Sequence, residues 1–129
     1  MLHTFPIRVY YEDTDMAGIV YHANYLKFIE RGRSDWVRQR GVDQNLMKDE
    51  AGMVFAVRRL EADYVGSAKF DDELIVETRP LAVTGARLIL DQTVKRGDAT
   101  LFHAIVTIVC INDAGQAARL PANIRLMLH

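Results

Sequence analysis

The densest run of residues able to do chemistry is 10–25, YYEDTDMAGIVYHANY, which gathers Glu12, Asp13, Asp15 and His22. It lies between an apolar run and the first helical period of the chain, so it joins the end of a strand to the start of a helix. The first turn of a helix presents backbone N–H groups that have no intrahelical acceptor, and these favour negative charge. No Ser, Thr or Asp directly precedes Ala23, while Asn24 is an alternative cap. Free N–H groups at His22 and its neighbours would polarise a substrate carbonyl as an oxyanion hole. Asp15 would then supply the carboxylate beside it, either attacking that carbonyl or taking a proton from the water that attacks.

Other chemistries fit this window less well. Asp13-Thr14-Asp15 followed by Gly18 matches the opening of a calcium loop. Its fifth position is Ala17, however, and its twelfth is Asn24 where a bidentate Glu is needed. A metal site built from Asp13, Asp15 and His22 lacks a second His at ligand spacing. Ser34 falls within the helical period and Ser67 beside a glycine, and neither sits in a G-x-S-x-G elbow.

The elements that must hold this window follow from pattern. Residues 5–11, FPIRVYY, read as a strand ending near Tyr11. From about His22, the residues Tyr25, Phe28, Ile29, Trp36 and Val37 recur at helical spacing, with Gly32 on the same face. The period predicts a helix closed by Gly41. Gly32 costs helix propensity, and a sheet approaching closely would account for it. Residues 43–50 form a loop or a short second helix. Strands are expected at 53–64, 73–80, 86–96 and 100–111, with a tight turn or bulge at Thr84-Gly85. The last strand is apolar on both faces and so should be central and covered on both sides. Pro121 opens a short helix, or 123–128 adds an edge strand. Strands and helix are segregated, which makes an α+β fold with a helix on one face of an antiparallel sheet. The uncovered face calls for a second copy, so a homo-oligomer is expected.

Composition narrows the classes. The chain of 129 residues reads as one domain, residues 1–129, able to build its own core. Sixteen basic against seventeen acidic residues give a net charge of −1, which argues against nucleic acid held by a net positive field. A single cysteine, Cys110, forms no internal disulfide. No basic leader followed by an apolar stretch opens the chain, and the apolar run around 101–111 is too short to span a bilayer as a helix. A cytoplasmic protein with no membrane insertion is expected.

The window also resembles a known family. Tyr11, Asp15, Gly18, Val20, His22 and Tyr25, in the frame YYEDTDMAGIVYHANYLKFIERGR, are similar to the signature of hotdog-fold acyl-CoA thioesterases. The likeness is to the 4-hydroxybenzoyl-CoA thioesterase group, and within it to the Tol-Pal-associated acyl-CoA thioesterases of bacteria. It implies an antiparallel sheet wrapped around one long central helix. It further implies two subunits joined sheet edge to sheet edge, an active site at their interface, and a dimer or tetramer. Asp15 aligns with the family's catalytic carboxylate, nucleophile or general base. The N–H near His22 would polarise the thioester carbonyl, and Tyr11 and His22 would be linked to Asp15. Gly18, Val20 and Tyr25 would fall to substrate binding. No metal or cofactor is implied, since coenzyme A is part of the substrate. Two departures bear on the coenzyme A phosphates. Thr84 stands in VTGAR where relatives often carry a basic residue, and VGSAKF lacks a proline. Arg58, Arg59, Arg87 and Arg119 are candidates there, Arg58 and Arg87 first, because Arg suits phosphate.

Plainer readings stand beside these. Asp15 also reads as a turn carboxylate, His22 as a residue of which only the backbone matters, and Tyr11 as a strand residue packing its ring. Glu12 and Asp13 read as solvated loop charges. Tyr25, Phe28 and Trp36 read as core, with Tyr25 able to line an acyl pocket. His103 reads as a satisfied core histidine and Cys110 as buried and inert. Against an acyl-CoA thioesterase stand a non-catalytic acyl-CoA-binding module and a hotdog hydratase or dehydratase. The first is disfavoured because no helix-turn-helix extension is present, and the second because no matching acid–base pair sits on the helix.

Overall fold

The computed structural model describes residues 2–129. Five main strands form one antiparallel sheet in the order β1-β3-β4-β5-β2, from β1 (His3–Arg8), β2 (Met53–Tyr64), β3 (Glu73–Val83), β4 (Leu88–Arg96) and β5 (Ala99–Asn112). The two-residue β6 (Ala117–Ala118) pairs with β5 opposite Cys110 and Ile111, continuing the edge of β5 beyond the end of β4. Between β1 and β2 come α1 (Asn24–Gln39) and α2 (Gln44–Ala51), and α3 (Ala122–Leu128) follows Pro121. Both regions left open in the sequence are therefore helical. The α+β architecture is as expected.

Helix α1 forms because its apolar residues recur on one face, and it packs that face on β1, β3 and β4. Tyr25, Phe28, Ile29, Trp36 and Val37 are buried there against Val76, Leu90 and Val94. Gly32 has the role its position implied. A Cβ built on it would lie 2.6 Å from Cγ1 of Val76, so only glycine lets the helix settle at this distance. The helix ends where Gly41 takes a left-handed φ of +91°.

On the sheet, alternate residues Phe102, Ala104, Val106, Ile108 and Cys110 of β5 are buried on the helix side. His103, Ile105, Thr107, Val109 and Ile111 are only partly buried on the other. Strand β5 is thus central in the sheet, but within one chain it is covered on one face only. His103 lies on that outer face, paired with Asp91 at 3.0 Å, and not in the core. Cys110 is buried, which pushes its thiol pKa up.

Two strand boundaries differ from expectation. β1 stops at Arg8, opposite Glu73 at the start of β3; Val9 still bonds the backbone of Asp71 and Asp72 in the loop before β3, and Tyr11–Asp13 then wind into a 3-10 turn. β3 continues past Pro80 to Val83, and a register shift between Pro80 and Ala82 accommodates the residue without an N–H.

Candidate active site

The loop before α1 is built from backbone pairing. Asp15 N–H donates to Ile19 C=O at 2.9 Å and Gly18 N–H to Asp15 C=O at 3.0 Å, with Gly18 at φ +81°. Asp15 Oδ1 accepts from Ala17 N–H at 2.9 Å, which fixes the carboxylate in an Asx turn. The Thr14–Val20 bridge closes the turn on itself, and the Ile19–Lys69 bridge, with Val20 N–H donating to Ala68 C=O at 2.8 Å, ties it to the loop after β2. That second loop is itself anchored. Ala68 N–H donates to the Tyr25 hydroxyl at 3.0 Å, and Asp72 Oδ2 accepts from Lys69 N–H and from Arg96, both at 2.8 Å. Burial alone would raise the pKa of Asp72; the Lys69 N–H and the Arg96 guanidinium outweigh it, and the carboxyl sits below its ordinary value. Burial dominates at Tyr25 and raises its hydroxyl pKa, against the opposing Ala68 hydrogen bond.

Asp13 is not the solvated charge the sequence suggested. It is 7% exposed, its Oδ2 accepts from Tyr10 N–H at 2.8 Å, and its carbonyl accepts from Tyr21 N–H and from Asn24 Nδ2, both at 2.9 Å. Asn24 therefore spends its side chain on closing the loop and does not cap the helix. No side chain caps α1 and its first turn holds no acidic residue. Among the described residues, the N–H groups of His22 and Ala23 meet no protein acceptor.

These pieces surround an open cavity of about 290 Å³ lined by Asp15, Ile19, Val20, His22, Tyr25 and Tyr64–Ser67. The Tyr64 hydroxyl donates to His22 C=O at 2.9 Å, and the Tyr64 ring meets Tyr25 and Phe102 edge-on. The structure thus brings Asp15, Val20, His22 and Tyr25 together. Gly18 shapes the turn without lining the cavity. Tyr11 turns away from the core; it is 78% exposed and stacks on Phe70 at 4.3 Å between ring centres. Arg58 sits on β2 six residues from Tyr64, about 20 Å along the strand. Arg87 precedes β4 at the end of the sheet remote from Val94, which pairs with Phe102 beside the cavity. Neither arginine reaches this cavity within one chain. Ile19 and the four residues Tyr64, Val65, Gly66 and Ser67 are the lining residues that sequence reasoning missed. The last four come from the end of β2 and the loop that follows it, and no local signal marks them.

A helix start with free N–H groups, a carboxylate fixed beside it and a pocket with aromatic walls can polarise a carbonyl and direct a nucleophile at its carbon. Known proteins resemble this chain in sequence and fold. The family described as Thioesterase superfamily matches residues 17–103. Acyl-CoA thioesterase YbgC of Haemophilus influenzae is 42% identical over 109 residues, covering 84% of this chain and 80% of its own. A probable thioesterase from Bartonella henselae superposes with a TM-score of 0.88 at 39% identity, over 94% of this chain and 100% of that one. A 4-hydroxybenzoyl CoA thioesterase mutant, complexed with 4-hydroxybenzoyl CoA, superposes with a TM-score of 0.92 over 99% of both chains. At 22% identity that last likeness is one of fold. The architecture is the hotdog fold, a sheet curved around a long helix. The chain belongs to the thioesterase superfamily.

Proposed function

We propose that the protein hydrolyses acyl-CoA thioesters to a free acid and coenzyme A at the cavity beside the start of α1. The observation that carries this reading is the pairing of uncapped N–H groups at His22 and Ala23 with the Asx-fixed carboxylate of Asp15. The thioester oxygen accepts from those N–H groups, which stabilise the negative charge that develops on it. Asp15 acts at the carbonyl carbon in one of two ways. As general base it takes a proton from water, the oxygen of that water bonds to the carbon, and the C–S bond breaks to give the acid and the coenzyme A thiol. As nucleophile its oxygen bonds to the carbon while the C–S bond breaks and the coenzyme A thiolate leaves, taking a proton from solvent; water then opens the mixed anhydride to the free acid and restores the Asp15 carboxylate. His22 and Tyr11 act on Asp15 or its water, and Gly18, Val20 and Tyr25 shape the substrate site.

The active unit is a homodimer at least, and a tetramer in the fuller form. Tyr11 lies outside the cavity of its own chain, and β2 leaves one edge unpaired, which suits joining a second copy there. Arg58 and Arg87 lie too far along the sheet for their own chain's cavity, so we assign them to the phosphates of coenzyme A bound across subunits. No metal or cofactor takes part. The enzyme works in the cytoplasm without inserting in a membrane or binding nucleic acid, and the free Cys110 suits that reducing setting.

Thiol release from a panel of acyl-CoAs tests the activity. Asp15→Asn should cut kcat by about 10²- to 10⁴-fold while leaving the fold intact. Undiminished turnover in Asp15→Asn would end the Asp15 mechanism.

A further inference from the structure

The free N–H groups of His22 and Ala23 belong to two peptide planes, and those planes are held differently. The His22 N–H shares its plane with Tyr21 C=O, which accepts from Asn24 N–H at 2.8 Å, while Tyr21 N–H donates to Asp13 C=O at 2.9 Å. That plane is fixed by the backbone of its own loop. The Ala23 N–H shares its plane with His22 C=O. Among the described residues no backbone N–H reaches this carbonyl, and it accepts instead from the Tyr64 hydroxyl at 2.9 Å. The second plane is therefore held by a side chain of β2, forty-two positions away.

Tyr64 is a stiff post for this purpose. Its backbone pairs with Phe102 of β5. Its ring stands edge-on to Phe102, Tyr25 and His22, with ring centres 5.0, 5.8 and 6.1 Å apart. Tyr25 stacks in turn on Phe102 at 5.1 Å, and its own hydroxyl is engaged by Ala68 N–H at 3.0 Å. A water molecule could satisfy His22 C=O equally well, but it would leave the plane free to rock at a helix start that no side chain caps.

We infer that Tyr64 is a positioning residue for the oxyanion site: its hydroxyl aims the Ala23 N–H and strengthens it as a donor. The inference rests on the acyl-CoA reading of the site. A trans peptide unit is planar, with its oxygen and its hydrogen on opposite sides of a stiff C–N bond. A bond that fixes the oxygen therefore fixes the direction of the N–H. The same unit also relays charge. As negative charge grows on the thioester oxygen, the N–H facing it shifts electron density onto His22 C=O, and the bond from the Tyr64 hydroxyl tightens. This gain is larger in the transition state than with bound substrate, so it belongs to kcat and not to KM. Tyr64 acts here through the peptide and not on the substrate.

Tyr64→Phe keeps the ring and removes the hydroxyl. On an acyl-CoA that the parent cleaves, kcat should fall about tenfold, a part of the roughly 10²- to 10³-fold lost with a whole oxyanion donor. KM should stay within about twofold. Converting the Ala23 amide to an ester, with lactic acid in place of the alanine, deletes the N–H itself. There kcat should fall further, and adding Tyr64→Phe should then cost less than about twofold. In the substrate-free protein, the backbone 15N resonance of Ala23 should move upfield in Tyr64→Phe while that of His22 stays. An unchanged kcat in Tyr64→Phe, an unmoved Ala23 resonance, or a fall in kcat that is the same with and without the Ala23 N–H would overturn the inference. So would a raised KM with kcat unchanged, which would put the hydroxyl on the bound substrate. If the ester protein does not fold, the split between kcat and KM and the 15N shift decide. A parent that cleaves no acyl-CoA would instead overturn the proposed function. Turnover lost in Asp15→Asn but kept in Tyr64→Phe would overturn only the role of Tyr64.

Discussion

The two longer helices begin in opposite ways. At α2, the Asp43 side chain accepts from the N–H groups of Asn45 and Leu46, so the helix start is closed by its own sequence. At α1, Ala23 stands at the cap position and offers nothing, and the side chain of Asn24 is turned to the carbonyl of Asp13. A cap contributes about 1 kcal/mol. Its absence at the longer and more deeply packed helix leaves donors for a ligand, and packing against the sheet carries the stability in its place. The same motif, a turn residue before a helix, thus closes one end and leaves the other open for chemistry.

Three substitutions break or sharpen this contrast. The largest effect is expected from Ala23→Asp, which puts a negative charge in the open first turn. It should stabilise the folded protein by about 0.3–1 kcal/mol through the helix dipole. It should also lower kcat/KM by on the order of 10- to 100-fold, because a carboxylate about 6 Å from a developing oxyanion is repulsive by a few kcal/mol at an effective dielectric near 20. A variant that gains stability and keeps full activity would show that the N–H groups do not meet the substrate. Asp43→Ala is the converse. Chemical denaturation should show a loss of about 1 kcal/mol, with kcat/KM per folded molecule unchanged.

The smallest effect concerns the loop that supports the open end. The pKa of Asp72 is lowered in the folded protein, so its carboxylate adds stability above the unfolded-state value, about 3.9, and that contribution fades as pH falls through the folded value. Asp72→Asn should be less stable than the parent at pH 7, and the gap should narrow below about pH 4. A gap independent of pH would mean that the charge of Asp72 is not what holds Lys69 and Arg96.

The local half of the site was legible because its determinants are adjacent in the chain. Asp15, Val20, His22 and Tyr25 lie within one turn and one helix start, and the turn chemistry and the helical period both show in the residues. Tyr64 and Ser67 were not legible, since they reach the cavity only through the pairing of β2 with β5 and the contact of Tyr64 with His22, forty-two positions away. Asp13 was misread for a related reason. A charged residue in a turn is usually solvated, and only the folded loop supplies the donors that bury it. The end of β1 likewise falls opposite the start of β3, which the residues of β1 do not encode. In contrast, Gly32 announced the close helix–sheet approach directly, because its cost in a helix needs a steric reason.

That glycine also works as a pivot. Where it rests on Val76, no side chain is present to flex, and the separation of α1 from the sheet is set by backbone against methyl. The start of the helix lies eight residues away, about 12 Å along its axis. Any group added at the pivot would have to lift the helix or displace Val76, and the lift would be carried to the end where His22 faces Tyr64. The alignment of the N–H groups is therefore a mechanical property of the whole helix. It is fixed at its middle and read out at its tip.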